Sequence, residues 1–444
     1  LVNDKKFNYP KMKFVLIKKF LQSVDNLTRR YLAIILFFSY RFIRIQWLIF
    51  LAFNLIKQKS DYTKPIKGLA FGRQIFDEDT NAISKYSLNI SIDSIHKSYF
   101  FMYLNYLSLY THYDLPSYFE KGENRESVKK HLINALQHLI KKNDYKFVIS
   151  GNYNYLECIE LPGVCKTLNI PYIVLYKEGL NLNTEIAINY VIKRNSLLPF
   201  GGNKLLTYNH SIRNTFIDSK FHNIPEEKVV ACGVPRFDNI IRSKNTSKPN
   251  IYKATLFSPY PPDKIRLYRD QDKEIIKKYI DSFHMDFIKL AKKMPNKKFL
   301  IKTKAAEHYF SYVKKMVNVH GTLPNLTITN HGNAQEYISK SEVVSGFNST
   351  TLIESCLMKK PTVSVKIPNI TSSEEENLLI LNLNTHFWDK PGWFENFFMD
   401  KNSNASNKSN SPIDKQYGNL IFSLDGNSSL RVESEILKEV SKFQ

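Results

Sequence analysis

The sequence predicts an α/β protein with two doubly wound parallel sheets and an added amino-terminal helical segment. The chain has 444 residues, which is too long for one ordinary core and suits two domains. From Pro65 onward, short β-branched segments alternate with helical patterns, as in parallel sheets joined by crossover helices. Residues 343–365 show this alternation in its shortest form: a strand, a polar turn, a helix and a second strand. Because ligands of such sheets bind at the carboxyl ends of the strands, we expect the functional residues there.

The composition is that of a folded and strongly basic protein. With 43% apolar and 13% aromatic residues, the chain is not of the disordered class. Its formal net charge of +22 indicates an anionic partner, which is a nucleic acid, a membrane surface or a charged substrate. The basic residues are spread along the chain without a recognised nucleic-acid-binding module, so we predict no nucleic-acid partner. The four cysteines have no CxxC spacing and predict neither a disulfide framework nor a zinc site: Cys158, Cys165, Cys232 and Cys356.

Residues 1–64 are predicted to form a basic and apolar helical segment. Its most apolar part, residues 31–56, is long enough for a membrane-spanning helix. However, Arg41 and Arg44 lie in the middle of that part, and arginines are costly at bilayer depth. We therefore expect one or two helices that lie on an anionic membrane surface or dip into it. The alternative interpretation is that these helices cover the protein's own core.

Residues 65–242 are predicted to form the first Rossmann-like domain. We expect helices at residues 99–110, 125–141 and 155–168, because apolar residues recur there at helical spacing. The predicted strands are residues 66–71, 146–150, 171–176, 204–208 and 228–232.

Residues 250–424 are predicted to form the second Rossmann-like domain, after a polar linker at residues 243–250. A helix is expected at residues 272–293, and residues 425–444 form a final amphipathic helix. The predicted strands are residues 255–258, 298–304 and 325–329, followed by the two strands of residues 343–365.

The polar turn within residues 343–365 is the strongest candidate for an anion site. Gly346 ends the first strand, and three residues with N-cap side chains follow it: Asn348, Ser349 and Thr350. A helix start at the carboxyl end of a strand offers free N–H groups to a phosphate. The alternative interpretation is that these residues only cap the helix. Glu354 is expected in the first turn, where its charge would repel a bare phosphate and favours a ribose hydroxyl pair.

This turn carries a resemblance to a known family. Ser-Thr-x-x-x-Glu, a short helix and a Lys-Pro strand resemble the donor-binding segment of GT-B glycosyltransferases of bacterial surface polysaccharide (capsule and O-antigen) biosynthesis. The pattern is related to CDP-glycerol glycerophosphotransferase-like and Kdo-transferase-like enzymes. The resemblance implies that Asn348, Ser349 and Thr350 hold the donor phosphates and that Glu354 meets the sugar part of the nucleotide.

Two further segments resemble the same family. Gly-Val-Pro-Arg-Phe-Asp, residues 233–238, resembles the interdomain junction of these enzymes, which makes Arg236 a candidate substrate-binding residue. The alternative is a Gly-Pro turn in which Arg236 pairs with Asp238. Lys302 and Lys304 stand at the strand end where many relatives carry Lys-Pro-His-Pro, and this chain keeps only the first lysine of that motif. Both lysines are expected to neutralise phosphate. The alternative is that they are solvated surface residues of a basic protein. Ser258, at the end of another strand, is a further candidate substrate-binding residue.

The resemblance implies a GT-B fold, in which two Rossmann-like domains face a cleft. It implies that residues 65–242 form the acceptor domain, that residues 250–424 form the nucleotide-donor domain, and that the helix at residues 425–444 crosses back to the first domain. It implies transfer of a sugar from a nucleotide-sugar to a glycan or lipid-linked acceptor, on the cytoplasmic face of the cell membrane. No Asp-x-Asp motif stands at a strand end, so we expect no metal and no cofactor. Three alternatives stay open: a CDP-polyol phosphotransferase of the teichoic-acid polymerase type, a nucleotide-sugar 2-epimerase, and a non-enzymatic nucleic-acid-binding protein.

An inverting transfer also needs a base that takes the proton from the acceptor hydroxyl. Glu178 is the candidate, because it directly follows the strand at residues 171–176 and precedes a glycine. The alternative is that Glu178 pairs with Lys177 or caps the next helix. The competing candidates for the base are His112, Asp114, Glu157 and Glu160.

Overall fold

The structure is a computed structural model, and the residues that it describes form an α/β protein with two parallel six-stranded sheets. This confirms the predicted α/β class with two parallel sheets. By its contacts the chain divides into two compact units: Leu1–Leu175 with Gly201–Leu205 and Glu433–Gln444, and Tyr176–Phe200 with Leu206–Val432. The described residues are 26–43, 46–72, 74–96, 99, 122–155, 158–178, 180, 192, 198–218, 224–243, 249–259, 273–321, 323–347, 349–365, 367, 385–399 and 420–444.

The first sheet has the strand order β2-β1-β3-β4-β5-β6, in which the first strand of the chain lies inside the sheet. Each strand pair with a defined register in this sheet is parallel, as predicted. The strands are β1 (Ile66–Gly72), β2 (Ile90–His96), β3 (Tyr145–Ser150), β4 (Tyr172–Tyr176), β5 (Lys204–Thr207) and β6 (Val229–Ala231). The helices that precede, separate and follow them are α1 (Asn26–Ile43), α2 (Gln46–Ile56), α3 (Gln74–Tyr86), α4 (Gly122–Asn143), α5 (Leu161–Thr167), α6 (His210–Asp218) and α7 (Pro235–Arg242).

Several elements of this half differ from the prediction, in which the helices α3, α6 and α7 do not appear. Strand β2 was not predicted, because serine and aspartate interrupt its isoleucines and give it the polarity of a loop. The helix predicted at residues 155–168 corresponds to the shorter α5, which starts at Leu161. It starts there because proline is tolerated in the first turn of a helix but not in its interior, and Pro162 lies in the first turn of α5. The helix predicted at residues 99–110 lies outside the described residues, apart from Tyr99.

The apolar amino-terminal stretch covers the core of its own unit, which is the alternative interpretation given above. Helix α2 buries Ala52 and Phe53 fully and packs against α4 and β2. Phe37 of α1 packs edge-on against Phe53, with ring centroids 5.3 Å apart. After α2, the backbone of Gln58 pairs with that of Ser94 in an antiparallel bridge at the edge of β2. None of the described helices is long and apolar enough to cross a membrane.

The second sheet has the order β12-β11-β10-β7-β8-β9. All its strand pairs are parallel. The strands are β7 (Tyr252–Phe257), β8 (Phe299–Lys302), β9 (Leu326–Thr329), β10 (Ser341–Gly346), β11 (Thr362–Val365) and β12 (His386–Trp388). The accompanying helices are α8 (Lys273–Lys293), α9 (Glu307–Asn318), α10 (Ala334–Ser339), α11 (Thr350–Leu357), α12 (Trp393–Met399) and α13 (Ser428–Val440).

Helix α8 supplies one side of the core beneath this sheet. Its buried residues Ile276, Ile280, Phe283 and Phe287 recur at the three- and four-residue spacing of one helix face. Phe283 contacts the buried ring of Trp388, with centroids 5.4 Å apart. This packing fixes the sheet whose carboxyl ends form the candidate site.

Candidate functional site

The candidate site lies at the carboxyl ends of the strands of the second sheet. Strand β7 is the first of this sheet in the chain, and the chain continues to one side through β8 and to the other side through β10. Such a topological switch point opens a crevice in which ligands of doubly wound sheets bind. Phe257 and Gly346 are register partners, so Ser258 and the turn after Gly346 flank this crevice.

The turn after β10 places a helix start at the switch point, as predicted. Ser349 is the N-cap residue of α11, and its side chain accepts a hydrogen bond from the backbone N–H of Thr351 at 3.4 Å. Thr350 is the first helical residue, and Asn348 lies outside the described residues. A Cβ on Gly346 would lie 3.2 Å from the carbonyl oxygen of Phe257, so glycine allows the close approach of β10 and β7 there. The start of α11 is therefore a capped, electropositive helix end.

Glu354 does not lie where the sequence placed it. Helix α11 begins at Thr350, so its first turn contains no acidic residue and Glu354 stands in the second turn. The prediction of a first-turn position was wrong, because it started the helix too late. The Glu354 side chain is 5% exposed. Its contact with a nucleotide sugar stays a prediction.

Lys302 ends β8, next to the switch point. Its Nζ donates hydrogen bonds to the backbone carbonyls of Thr303 at 2.7 Å and Asn330 at 3.1 Å. Burial lowers the pKa of Lys302 from its ordinary value. Among the described residues no carboxylate forms an ion pair with Lys302. Lys304 is exposed and stands over the ring of Tyr309 at 6.0 Å, so the two predicted lysines have different surroundings.

Ser258 has a partner that sequence reasoning missed. The Nε2 of the fully buried His284 lies 2.8 Å from the Ser258 hydroxyl, and its Nδ1 lies 2.8 Å from the carbonyl oxygen of Ile280. Since a carbonyl only accepts, these partners assign the ring proton to Nδ1, and Nε2 accepts from Ser258. Burial lowers the pKa of His284 and keeps the ring neutral. The lone pairs of Ser258 are left to accept a hydrogen bond from a ligand hydroxyl.

The segment of residues 233–238 contacts the start of α13, the last α-helix of the chain. The buried Asp238 accepts hydrogen bonds from the backbone N–H groups of Ser428 at 3.1 Å and Ser429 at 2.7 Å, at the start of α13. Gly233 has φ +89°, and a Cβ there would lie 2.4 Å from the Ser428 hydroxyl. Arg236 is 4% exposed and donates to the Tyr208 hydroxyl at 2.8 Å. Asp238 thus caps the start of α13.

Glu178, the predicted base, follows β4 and lies next to Lys177. The Lys177 Nζ is 3.5 Å from the Glu178 carboxylate, and the Glu178 side chain is 36% exposed. This is the contact of the alternative interpretation, and it leaves the carboxylate accessible. Among the competing candidates, Glu160 is buried just before α5, whereas His112, Asp114 and Glu157 lie outside the described residues.

Comparisons with known proteins bear on the fold. No protein-family model and no curated protein matches the chain. The solved structure of the wall teichoic acid polymerase TagF is similar, with 12% identity, a TM-score of 0.51, and coverage of 94% of this chain and 98% of that chain. A Listeria monocytogenes protein described as a UDP-N-acetylglucosamine 2-epimerase is also similar, with 10% identity, a TM-score of 0.50, and coverage of 86% and 98%.

The chain has the GT-B fold. At identities this low the similarity establishes the fold and leaves the activity open. The predicted GT-B fold is therefore confirmed, and the sugar, the acceptor and the type of transfer are matters of proposal.

Proposed function

We propose that this protein is a glycosyltransferase that moves a sugar from a nucleotide-activated donor to a surface-polysaccharide or lipid-linked acceptor. One observation carries the proposal: the capped start of α11 and the ammonium group of Lys302, which has no carboxylate partner among the described residues, lie at the switch point of the second sheet. A helix start and a lysine in such surroundings favour a diphosphate. The same groups stabilise the negative charge that develops on the departing nucleoside diphosphate, with no demand for a metal or a cofactor.

The other predicted site residues contact further groups of the substrate in this proposal. Ser349 and Thr350 contact the phosphates at the helix start, and Lys304 adds charge at the rim. The contact of Asn348, which lies outside the described residues, stays a prediction. Ser258 accepts a hydrogen bond from a donor hydroxyl, because its own proton is held by His284. Arg236 is held in the interior, so its predicted contact with substrate requires a movement of the side chain.

A second candidate function is transfer of a polyol phosphate from a CDP-linked donor. It is supported by the similarity to TagF, whose crystals were soaked with CDPG. The third candidate is 2-epimerisation of a nucleotide-sugar, supported by the similarity to the Listeria protein. The three reactions break different bonds, which makes them separable by their products.

The test is to incubate the full chain with UDP-, GDP-, CMP-, CDP- and TDP-linked donors and with glycan and polyol-phosphate acceptors, and to identify the released nucleotide. Glycosyl transfer from a nucleoside diphosphate sugar releases the nucleoside diphosphate. Polyol-phosphate transfer from a CDP-linked donor releases CMP, and epimerisation releases neither. Release of a nucleoside diphosphate from a nucleoside diphosphate sugar, or of CMP from a CMP-linked sugar, together with a glycosylated acceptor is the expected result. Release of CMP from a CDP-linked donor, or formation of an epimer, would replace the proposal by an alternative.

Glu178 is our proposed base in this transfer. The variant Glu178→Gln keeps the size and polarity of the side chain but no longer takes up the proton, so we expect turnover to fall about a hundredfold or more. Donor affinity should stay at the wild-type value. Near-native turnover of the Gln variant would remove Glu178 from the mechanism.

We also propose that the protein associates peripherally with the inner, cytoplasmic face of an anionic membrane. The outer face of α1 exposes Tyr31 at 60%, Ile35 at 57% and Phe38 at 49%, at the spacing of one helix face. Exposed apolar side chains next to arginines suit the boundary between acidic headgroups and acyl chains.

Vesicle co-sedimentation tests this association. The double variant Ile35→Ser/Phe38→Ser should reduce binding to vesicles of 70% phosphatidylcholine and 30% phosphatidylglycerol about tenfold or more, since burial of each side chain contributes about 1.5–3 kcal/mol. The control Val319→Ser removes an isolated apolar side chain that is 80% exposed and should bind like wild type. Equal binding of both variants would contradict the proposal.

A further inference from the structure

Ser258 lies in the middle of the candidate site. Strand β7 pairs with β8 on one side and with β10 on the other, and its residue Phe257 is the register partner of both Lys302 and Gly346. The backbone N–H of Ser258 donates to the carbonyl oxygen of Lys302 at 2.9 Å. In the order of the strands along this edge, Ser258 therefore lies between Lys302 and the turn that starts α11.

The hydroxyl group of Ser258 has a defined hydrogen-bond polarity. Its oxygen lies 2.8 Å from the Nε2 of His284, which is an acceptor because the Nδ1–H of the ring donates to the carbonyl oxygen of Ile280. The other acceptor within reach of the hydroxyl proton is the carbonyl oxygen of Pro259, at the longer distance of 3.3 Å. Among the described residues, no group donates a hydrogen bond to the Ser258 oxygen. A ligand therefore meets this oxygen as an acceptor.

His284 maintains this polarity from the buried face of α8. The ring is fully buried and packs edge-on against Phe283 and Tyr312, with centroids 6.4 and 6.3 Å apart. Moving the ring proton to Nε2 would set the lone pair of Nδ1 against the carbonyl oxygen of Ile280. Burial also lowers the pKa of His284, so the ring stays neutral and Nε2 stays an acceptor. The direction of the Ser258 hydroxyl is thus set by a side chain that is closed to solvent.

An acceptor oxygen at this place selects the chemical group that contacts it. The phosphate oxygens of a nucleotide-sugar only accept, so they are repelled by a second acceptor, whereas a hydroxyl or an amide N–H group donates to it. In a nucleotide-sugar, C2 of the transferred sugar is bonded to the anomeric carbon that carries the diphosphate. Ribose carries its hydroxyl groups further from its own phosphate. The C2 substituent is therefore the donor group nearest to a diphosphate held by Lys302 and α11.

We propose that His284 is a positioning residue that makes Ser258 an acceptor, and that Ser258 selects nucleotide-sugars whose transferred sugar carries a hydroxyl or an acylamino group at C2. The inference rests on the proposed function, in which a nucleotide-sugar is the substrate. His284 acts through Ser258 and has no contact with the substrate.

Fluorine at C2 tests the polarity, because it replaces the hydroxyl group at similar size and does not donate. The probes are UDP-glucose, GDP-mannose and TDP-glucose, each compared with its 2-deoxy-2-fluoro analogue by isothermal titration of the full chain. For the wild type we expect the affinity of the sugar that binds most tightly to fall about tenfold or more on fluorination.

Four variants assign this preference to the two residues. Ser258→Ala removes the acceptor and His284→Leu frees the Ser258 hydroxyl to donate, so in both the preference should fall to about threefold or less. His284→Gln should keep the preference, because a glutamine oxygen can take the place of Nε2 and accept from Ser258. The control His320→Leu changes a histidine that contacts Met285 at 3.3 Å and should keep the wild-type preference. The affinities for UDP, GDP and TDP should be unchanged in all four variants.

The outcomes separate this inference from the proposed function. Equal affinity of the wild type for the hydroxyl and fluoro sugars, or a preference that persists in Ser258→Ala, overturns the inference and leaves a nucleotide site that binds UDP, GDP or TDP. If none of the three sugars binds, the inference is overturned, and the nucleoside diphosphates decide the donor site separately. Long-range NMR of histidine labelled with nitrogen-15, assigned with His284→Gln, should place the ring proton on Nδ1. A proton on Nε2 overturns the inference whether or not nucleotides bind.

Discussion

Replacing Asp77 by asparagine should stabilise the protein at neutral pH. Burial raises the pKa of Asp77 from 3.8 to about 6, so the folded state disfavours the charged carboxylate. At about 1.4 kcal/mol per pKa unit, this difference corresponds to about 3 kcal/mol above pH 6. Because Asp77 is partly exposed, we expect Asp77→Asn to recover about 2 kcal/mol of the free energy of unfolding.

The free energy of unfolding should depend on pH in a direction that follows from the raised pKa of Asp77. Between pH 3.8 and about 6 the folded state binds more protons than the unfolded state, so the wild-type protein loses stability as pH rises through this window. Urea unfolding followed by circular dichroism should show Asp77→Asn above wild type at pH 8, with the difference shrinking below pH 6. The control Asp61→Asn, at an exposed position, should stay within about 0.5 kcal/mol at each pH. A destabilised Asp77→Asn variant at pH 8, or a difference that does not change with pH, would refute the reasoning.

Two further predictions concern the second unit, and thermal unfolding measures both. Gly233→Ala should lower the free energy of unfolding by about 1 kcal/mol more than Gly392→Ala. Both glycines have φ near +90°, but only at Gly233 would a Cβ contact a neighbour, the Ser428 side chain. Equal effects of the two variants would contradict this close contact. Asp286→Ala should lower the free energy of unfolding by about 3 kcal/mol or more, since the Asp286 carboxylate accepts three hydrogen bonds, one of them from Trp388 Nε1 at 2.8 Å. A decrease below about 1 kcal/mol would show that these donors bind water in the variant.

Most strands of this chain could be predicted from the sequence, because they are short apolar segments that end at a glycine or a polar residue. Strand β10 ends at Gly346 and β3 at Ser150, close to the predicted ends. Strand β2 was missed because Ser91 and Ser94 are buried in it, and buried serines do not distinguish a strand from a loop.

The roles of individual site residues depend on contacts across long stretches of chain. Asp238 caps a helix that starts 190 residues later. The motif at residues 233–238 resembled an interdomain junction, and nothing in the sequence indicated this helix as the partner of Asp238. His284 meets Ser258 across 26 residues from the buried face of α8. A histidine at an apolar position of an amphipathic helix is the only sequence signal for that contact.

The central claim is that a nucleoside diphosphate binds at the carboxyl ends of the second sheet, and one comparison of two lysines at opposite ends of β8 tests it. Lys302 ends β8 at the candidate site, whereas the exposed Lys298 precedes the opposite end of β8. Isothermal titration at about 0.15 M salt should show that Lys302→Ala weakens binding of the preferred nucleoside diphosphate about tenfold to a hundredfold, the range expected for a hydrogen bond to a charged group. Lys298→Ala should keep the wild-type affinity. Wild-type affinity in Lys302→Ala, or equal weakening in both variants, would contradict the claim.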